Sequence, residues 1–269
     1  MAKGLPTKLA IPGVKKVLLV SSTKGGVGKS STTVSLAVAL SRHPSNPLVG
    51  ILDADVFGPS IPKMMNLEAT SPLTNKQNLM IPLVNHGIKC MSMGFLVPVN
   101  EAVVWRGLMV MQGIQKLLRG VVWGPLDYLL VDMPPGTGDV QLSICQNIPV
   151  DGALIITTPN LVSQSDVRKG ITMLNKINVK IWGIIENMSY FICDGCEKRH
   201  YIFGDPDNVH KIAKETNLQV LARIPYDERV MKSNDDGVPL LLNTDKSSTT
   251  QTITDIYTEL ADGIVKQHG

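Results

Sequence analysis

The feature that most constrains the fold is the alternation of short apolar runs with amphipathic segments along the chain. Several runs are apolar at consecutive positions, which indicates strands buried on both faces of a parallel sheet. The runs are residues 16–22, 48–53, 87–94, 127–133, 152–158, 180–188 and 218–225. The amphipathic segments are residues 31–42, 105–119, 139–146, 163–177, 205–216 and 250–266. This order predicts an α/β fold with a doubly wound, mostly parallel sheet, right-handed crossovers and helices on both faces.

The overall composition favours one large domain and excludes several classes of partner. Of the 269 residues, 43% are hydrophobic, which is enough for a large core. The formal charge of +3 gives no electrostatic reason to expect nucleic acid as a partner, and it leaves only a peripheral membrane contact open. No apolar run reaches the roughly 18 residues that a spanning helix needs. We predict a single domain over residues 1–269, with a short basic tail at 1–15 that is either the remnant of a targeting peptide or simply a tail.

The four cysteines indicate a reducing compartment, since so few in a chain of this length do not make a disulfide scaffold. Cys90 and Cys145 stand in predicted apolar elements, so we expect them in the core. Cys193 and Cys196 stand together in an irregular segment, residues 191–204, that follows a predicted strand. Ligands of open α/β sheets bind where strands end, so this segment is a candidate functional loop.

The stretch "VSSTKGGVGKSS", residues 20–31, predicts a nucleotide-binding phosphate loop between a strand and a helix. It departs from the pattern G-x-x-x-x-G-K-[ST] because Thr23 replaces the first glycine, and it carries an additional lysine, Lys24. The first glycine serves the turn more than the phosphate contacts, so we expect binding to survive. Lys29 would bind the β- and γ-phosphates, and the Ser30 hydroxyl would coordinate Mg²⁺. The residues expected at the nucleotide are Thr23, Lys24, Gly25, Gly26, Val27, Gly28, Lys29, Ser30 and Ser31.

Three carboxylates follow predicted strands and complete the expected site. Asp132 ends an apolar strand, where a charge is costly unless it is paired or organises a metal, so it fits the Mg²⁺ shell opposite Ser30. The alternative is a structural or helix-capping role. Asp53 and Asp55 end the second strand; we favour Asp55 as the residue that orients the attacking water and Asp53 as the residue that supports the metal shell. The loop "PPGTGD" behind Asp132 suits sensing of the γ-phosphate.

The blocks "TKGGVGKSS", "LDADVFGPSIPKMM", "VVWRGLMVM" and "DYLLVDMPPGTGDVQLS" together resemble the Mrp/NBP-type ATPases of the deviant-Walker (SIMIBI) class. The resemblance runs from about Pro12 to the C-terminal helix. It implies ATP and Mg²⁺ as ligands, a homodimer and slow, dimer-dependent hydrolysis. By position, Lys24 is the signature lysine that reaches the partner's nucleotide, a cation delivered in trans. Asn187 matches the residue that reads the adenine edge; without the resemblance, a turn or cap residue is the alternative.

The pair Cys193-x-x-Cys196 is ambiguous by itself. It fits a redox pair, half of a zinc site with His200 as a third ligand, or two structural cysteines. The chain has no second C-x-x-C, so a site with four thiolates needs two chains, and such a site suits zinc or a [4Fe–4S] cluster. The resemblance favours the cluster, because the family carries a labile [4Fe–4S] cluster across its dimer for delivery to client apoproteins.

Within the family, the segments "NLMIPLVNHGIKCMSMGFLV" and "VVWRGLMVM" look closest to the mitochondrial NUBPL-type branch, with Leu108 where other relatives more often have proline. This implies cluster delivery to respiratory complex I subunits in the mitochondrial matrix, with a cytoplasmic location as the alternative. The Met- and Leu-rich residues 94–118 are expected to be a buried helix with its lead-in, rather than a client groove. The rival functions are a ParA/MinD-like positioning ATPase and a zinc-bridged structural dimer.

Overall fold

An eight-stranded sheet forms the centre of the computed structural model, which describes residues 8–96, 107–205, 207–243 and 247–268. The strand order is β10-β7-β6-β1-β5-β2-β4-β3, and every pair is parallel except β3 with β4. The strands are β1 Val14–Ser21, β2 Val49–Asp53, β3 Leu83–Asn85, β4 Ile88–Ser92, β5 Leu126–Asp132, β6 Gly152–Thr157, β7 Ile181–Glu186 and β10 Val220–Arg223. The predicted mostly parallel α/β sheet is therefore confirmed.

Eight helices are found in the described ranges. They are α1 Lys29–Ser41, α2 Ile61–Met64, α3 Gly107–Arg119, α4 Asp139–Asn147, α5 Leu161–Lys176, α6 Asp207–Glu215, α7 Glu228–Asp236 and α8 Ser248–His268. Six of them correspond to the predicted amphipathic segments. Helix α2 and strand β3 were not predicted, because each is too short to show a clear apolar period. Helix α7 was not predicted because its sequence, ERVMKSNDD, is mostly polar. A small separate sheet pairs β8 Phe191–Ile192 with β9 Arg199–His200.

Alternate residues of the strands pack into two cores, one on each face of the sheet. Leu18 and Val20 of β1 belong to the core that includes α1 and α8, whereas Val17 and Leu19 belong to the core that includes α3 to α6. Both strand faces are therefore apolar, which explains the continuous apolar runs in the sequence. Cys90 and Cys145 are fully buried, one in each core, as predicted.

Strand register brings polar side chains together at the carboxyl edge of the sheet. Asp132 of β5 lies beside Val20 of β1 on one side and beside Asp53 of β2 on the other. Asp53 in turn lies beside Ser92 of β4. Because β1 pairs with both β5 and β6, the loop after β1 starts at the centre of this edge, where open α/β sheets bind their ligands.

The Met- and Leu-rich segment is only partly described. Its predicted lead-in, residues 97–106, lies outside the described residues. Helix α3 buries Val110, Ile114, Leu117 and Leu118 and leaves Leu108 and Met109 exposed, so one face of the helix belongs to the core, as expected. Among the described residues, none of the helices combines the length and the apolar character required to cross a membrane.

Candidate functional site

The loop between β1 and α1 has the backbone of a phosphate cradle. Gly26 and Gly28 have φ values of +78° and +80°, in the left-handed region that glycine adopts without steric cost. A Cβ at Gly28 would collide with the side-chain amide of Asn187, so glycine is needed there for space as well. Helix α1 begins at Lys29, where the sequence predicts it, and its N-terminus therefore faces the loop.

Lys29, Ser30 and Asp132 form a buried network at the start of α1. The Lys29 Nζ lies 2.8 Å from Asp132 Oδ1 and 3.2 Å from Ser30 Oγ. The Ser30 hydroxyl donates to Asp132 Oδ2 at 2.6 Å, and the Thr33 hydroxyl donates to Oδ1 at 2.9 Å. Asp132 is fully buried, so its charge needs these partners. A hydroxyl beside a carboxylate offers the hard oxygen donors that Mg²⁺ prefers, and the residues fit that ion.

Asp53 and Asp55 have different surroundings although they are two residues apart. Asp53 is fully buried and accepts hydrogen bonds from Ser92 Oγ at 2.8 Å and from the backbone N–H groups of Asp55 and Ile61. Burial, and then the neighbouring Asp132 carboxylate, raise the pKa of Asp53 to about 7. Strand β2 ends at Asp53, so Asp55 lies in the following loop, with Oδ2 3.8 Å from Lys29 Nζ.

Two cavities adjoin at the phosphate loop. The first, of about 240 Å³, is lined by Lys24, Gly25, Gly26, Gly28, Lys29, Ser30, Ser31 and Asp55, together with Ser22, Gly58, Ser60, Met64 and Pro135. The second, of about 210 Å³, shares Gly28 and Ser31 with it. Asn187 lines the second cavity, and its Nδ2 donates to the Val27 carbonyl at 2.9 Å, which leaves the amide oxygen to accept a bond from a ligand.

The second cavity includes residues that the sequence did not reveal. Asn234 of α7 reaches across to the phosphate loop, where its Nδ2 donates to Ser31 Oγ at 2.8 Å. Tyr257 of α8 forms part of the wall, and burial raises its pKa to about 12, so the phenol is neutral. Asp227 and Gly237 cap α7 at its two ends, a signal that could have predicted this short helix.

Gln141 holds the loop behind Asp132. Its Nε2 donates to the carbonyls of Pro134 at 2.8 Å and Pro135 at 3.0 Å, and the side chain is buried. The Gly136 N–H donates to the Ser22 carbonyl, which ties the same loop to the end of β1. The loop therefore lies against the phosphate cavity, and Pro135 lines it. Asp139 is the first residue of α4, and Gly138 is its N-cap.

The two unusual residues of the phosphate loop face different neighbours. Lys24 is exposed on the rim of the phosphate cavity. The Thr23 methyl group packs against α5, where it lies 2.5 Å from the point that a Cβ on Gly170 would occupy. Thr23 thus fills the space left by a glycine on the next helix, a pairing that no local pattern in the sequence indicates.

The cysteine pair lies in a hairpin formed by β8 and β9. The Cys193 N–H donates to the Lys198 carbonyl, and the Glu197 N–H donates to the Cys193 carbonyl, so the turn is closed from both sides. Cys196 is exposed and Cys193 is half-buried. The backbone N–H of Gly195, and then that of Cys196, lower the pKa of the Cys193 thiol. The hairpin therefore presents two thiol groups towards solvent.

The hairpin is attached to the wall of the second cavity. Phe191 forms a strand-like bridge with Tyr226, and the Tyr226 N–H donates to the Tyr190 carbonyl at 2.7 Å. Tyr226 lines the cavity, as does Met188 at the base of the hairpin. A ligand in that cavity would contact the residues that hold the cysteine hairpin.

Comparison with known proteins gives consistent relatives over nearly the whole chain. Mus musculus iron–sulfur cluster transfer protein NUBPL is 52% identical over 90% of this chain and 76% of its own. The Arabidopsis thaliana iron–sulfur protein required for NADH dehydrogenase, mitochondrial, is 45% identical over 98% of this chain and 82% of its own. A nucleotide-binding protein from Archaeoglobus fulgidus, solved in complex with ADP, has a TM-score of 0.73 and 37% identity over 84% of this chain and 88% of its own. Residues 13–261 match the model of a ParA family described as NUBPL iron-transfer P-loop NTPase, and the chain belongs to that family.

Proposed function

We propose that the chain is an ATP-binding and ATP-hydrolysing homodimeric carrier that holds a labile [4Fe–4S] cluster between two subunits and delivers it to client proteins. The observation that carries the proposal is the hairpin, which presents one pair of thiol donors per chain and is attached to the wall of the nucleotide cavity. Family membership supports both the nucleotide function and the cluster-carrier function, since the family is one of P-loop NTPases and the mouse relative is named for iron–sulfur cluster transfer.

The nucleotide would lie across both cavities, with its phosphates on the loop and its base beside Asn187. The backbone N–H groups from Gly25 to Ser30 and the N-terminus of α1 would bind phosphate oxygens. Lys29 would move from Asp132 to the β- and γ-phosphates as these arrive, because the phosphates offer it a stronger anion. The Asn187 amide oxygen would accept a hydrogen bond from the adenine amino group.

Ser30 and Asp132 would hold Mg²⁺, which supplies positive charge to the phosphates during hydrolysis. Asp55 would orient the attacking water, since it lines the phosphate cavity near Lys29. Asp53 would act indirectly, by its charge on the neighbouring Asp132. Lys24 would contact the γ-phosphate bound to the partner subunit, which makes hydrolysis depend on dimerisation.

The cluster would be bound as cargo by Cys193 and Cys196 of both subunits. Four thiolates are the usual ligand set of a [4Fe–4S] cluster, and one chain supplies two. A two-fold axis through the hairpins brings two identical pairs together. The exposed position of Cys196 suits a cluster that is passed on rather than retained.

The clients would be apoproteins of respiratory complex I in the mitochondrial matrix, with a cytoplasmic carrier as the alternative. The support is the identity to the mouse and Arabidopsis relatives, of which the second is named as required for NADH dehydrogenase and as mitochondrial. The client assignment is tested by transfer from the loaded protein to an apo complex I subunit, followed by the cluster absorbance of that subunit.

The carrier function is tested by anaerobic reconstitution with iron and sulfide. Wild-type protein should gain thiolate-to-iron absorbance and about four iron atoms per two chains. The Cys193→Ser/Cys196→Ser variant should lose both, whereas Cys145→Ala, which removes a thiol buried in the core, should keep both. Retention of iron and sulfide by the double variant would contradict the proposal.

A further inference from the structure

The hairpin contains a third metal ligand besides the two cysteines. The donor atoms of Cys193, Cys196 and His200 all lie within 4.8 Å of one another. His200 Nε2 is 4.0 Å from Cys196 Sγ. Two ligands of a tetrahedral zinc-type ion, with bonds of about 2.3 Å to sulfur and about 2.0 Å to nitrogen, are separated by roughly 3.6 Å. The donor atoms therefore need to close by no more than about 1.2 Å to bind one ion together.

The strand pairing explains why His200 lies with the cysteines. Phe191 pairs with His200 across the hairpin, so the two side chains share one face. Cys193 is two residues beyond Phe191 and continues on that same face. Arg199, on the opposite face with Ile192, directs its guanidinium over the Tyr190 ring at 4.5 Å from the centroid. The positive charge is thereby held away from the face that carries the three donors.

All three ligands come from one chain and need no partner. The hairpin is closed by its own backbone hydrogen bonds between Cys193 and residues 197 and 198. Cys196 and His200 are exposed, which leaves the fourth coordination position open to solvent. Three protein ligands with one open position are typical of sites where a metal exchanges a ligand, whereas structural zinc sites have four.

We propose that Cys193, Cys196 and His200 form a mononuclear metal site within a single subunit. The site takes one divalent ion of borderline softness, the class of Fe²⁺, Co²⁺ and Zn²⁺, and its fourth position accepts water or a thiolate from another molecule. It goes beyond the proposed carrier function because it requires neither a second chain nor a nucleotide. The mononuclear ion and the bridging cluster share Cys193 and Cys196, but His200 has no place among the four thiolates of the cluster, so the two differ in that ligand and in stoichiometry.

The test uses Co²⁺ alone as the probe, added to reduced apoprotein without oxygen. Wild-type protein should bind one Co²⁺ per chain, with the absorption of tetrahedral thiolate-bound cobalt, and light scattering should show a monomer. His200→Ala should weaken Co²⁺ binding at least about 10-fold, since even loss of an outer partner of a metal ligand costs about 10–100-fold. His210→Ala, which changes an exposed histidine on α6, should bind like wild type.

A second variant separates loss of a ligand from loss of the hairpin fold. His200→Cys should restore tight binding and add the charge-transfer absorption of a third thiolate, because it returns a donor to the same position. Binding of one Co²⁺ per two chains, or unchanged affinity in His200→Ala, would overturn the proposal. Reconstitution of wild-type protein with iron and sulfide tests the carrier function separately. A failure of the mononuclear site can therefore be distinguished from a failure of the carrier function.

Discussion

At the scale of single residues, a Lys24 variant tests whether the nucleotide site needs a second chain. Lys24 is exposed on the rim of the phosphate cavity, while Lys29 is buried in the network with Asp132. We expect Lys24→Ala to bind ATP with nearly unchanged affinity but to hydrolyse it at least about 100-fold more slowly, because a cation supplied in trans accelerates related P-loop enzymes by about 10³–10⁵. Lys76→Ala, another exposed lysine, is the control. Full turnover by Lys24→Ala would contradict the in-trans role.

The contact between Thr23 and Gly170 gives a prediction about stability. Alanine normally stabilises a helix by about 1 kcal/mol relative to glycine, but its methyl group at 170 would overlap the Thr23 methyl group. Overpacking costs about 1–3 kcal/mol, so Gly170→Ala should lower the free energy of unfolding. In a Thr23→Gly background the same change should be stabilising, and urea unfolding of all four proteins measures the difference. A Gly170→Ala protein as stable as wild type would show that the contact is not tight.

Asp53 makes the stability of the nucleotide-free protein depend on pH. Its pKa is raised to about 7 in the folded state and is close to its usual value of 3.8 in the unfolded state. The folded state therefore holds the proton more strongly, and the contribution of Asp53 to stability falls as pH rises from about 4 to about 7. Unfolding measured at several pH values should show this decline in wild type and a weaker decline in Asp53→Asn. An equal decline in both proteins would assign the effect to other groups.

At the scale of elements, the parts that could be predicted are those whose signal is local. The apolar runs predicted seven strands, and the glycines with Lys29 predicted where α1 begins. Strand β3 and the caps of α7 were missed. Because α7 was missed, the wall of the second cavity that carries Asn234 was missed as well. The contact between Thr23 and Gly170 depends on how helix α5 packs against the phosphate loop, which joins positions far apart in the sequence. The proximity of Cys193 to His200 depends on the register of the two hairpin strands.

The loop of residues 134–138 is the element best placed to respond to the γ-phosphate. Gln141 donates to two of its carbonyls, and each such bond is worth about 0.5–1.5 kcal/mol. Gln141→Met keeps the side-chain length but removes both donated bonds, so amide hydrogen exchange in this loop should become at least about 5-fold faster. Exchange in β6 is the internal reference, since the amides of that strand are held by its pairing with β1 and β7. An unchanged exchange rate would mean that the loop is held by the hydrogen bond from the Gly136 N–H to the Ser22 carbonyl and not by Gln141.

At the scale of the whole molecule, the proposed nucleotide and cluster sites are connected through Tyr226, and both would use residues from a second chain. Tyr226 lines the second cavity, and its backbone N–H donates a hydrogen bond to the Tyr190 carbonyl at the base of the cysteine hairpin. In the proposed function, Lys24 would contact a nucleotide on another chain, and a bridging cluster would take one cysteine pair from each of two chains. ATP binding would therefore bring the two subunits together and change the exposure of the cluster, and hydrolysis would loosen the dimer.

The proposed cluster belongs to a dimer, and native mass spectrometry of anaerobically reconstituted protein tests this stoichiometry. One spectrum counts chains, iron and sulfide in the same particle. We expect a dimer that carries one [4Fe–4S] cluster, and a cluster-free mass for the Cys193→Ser/Cys196→Ser variant. A [4Fe–4S] cluster on a particle with the mass of one chain would show that the cluster does not bridge two subunits.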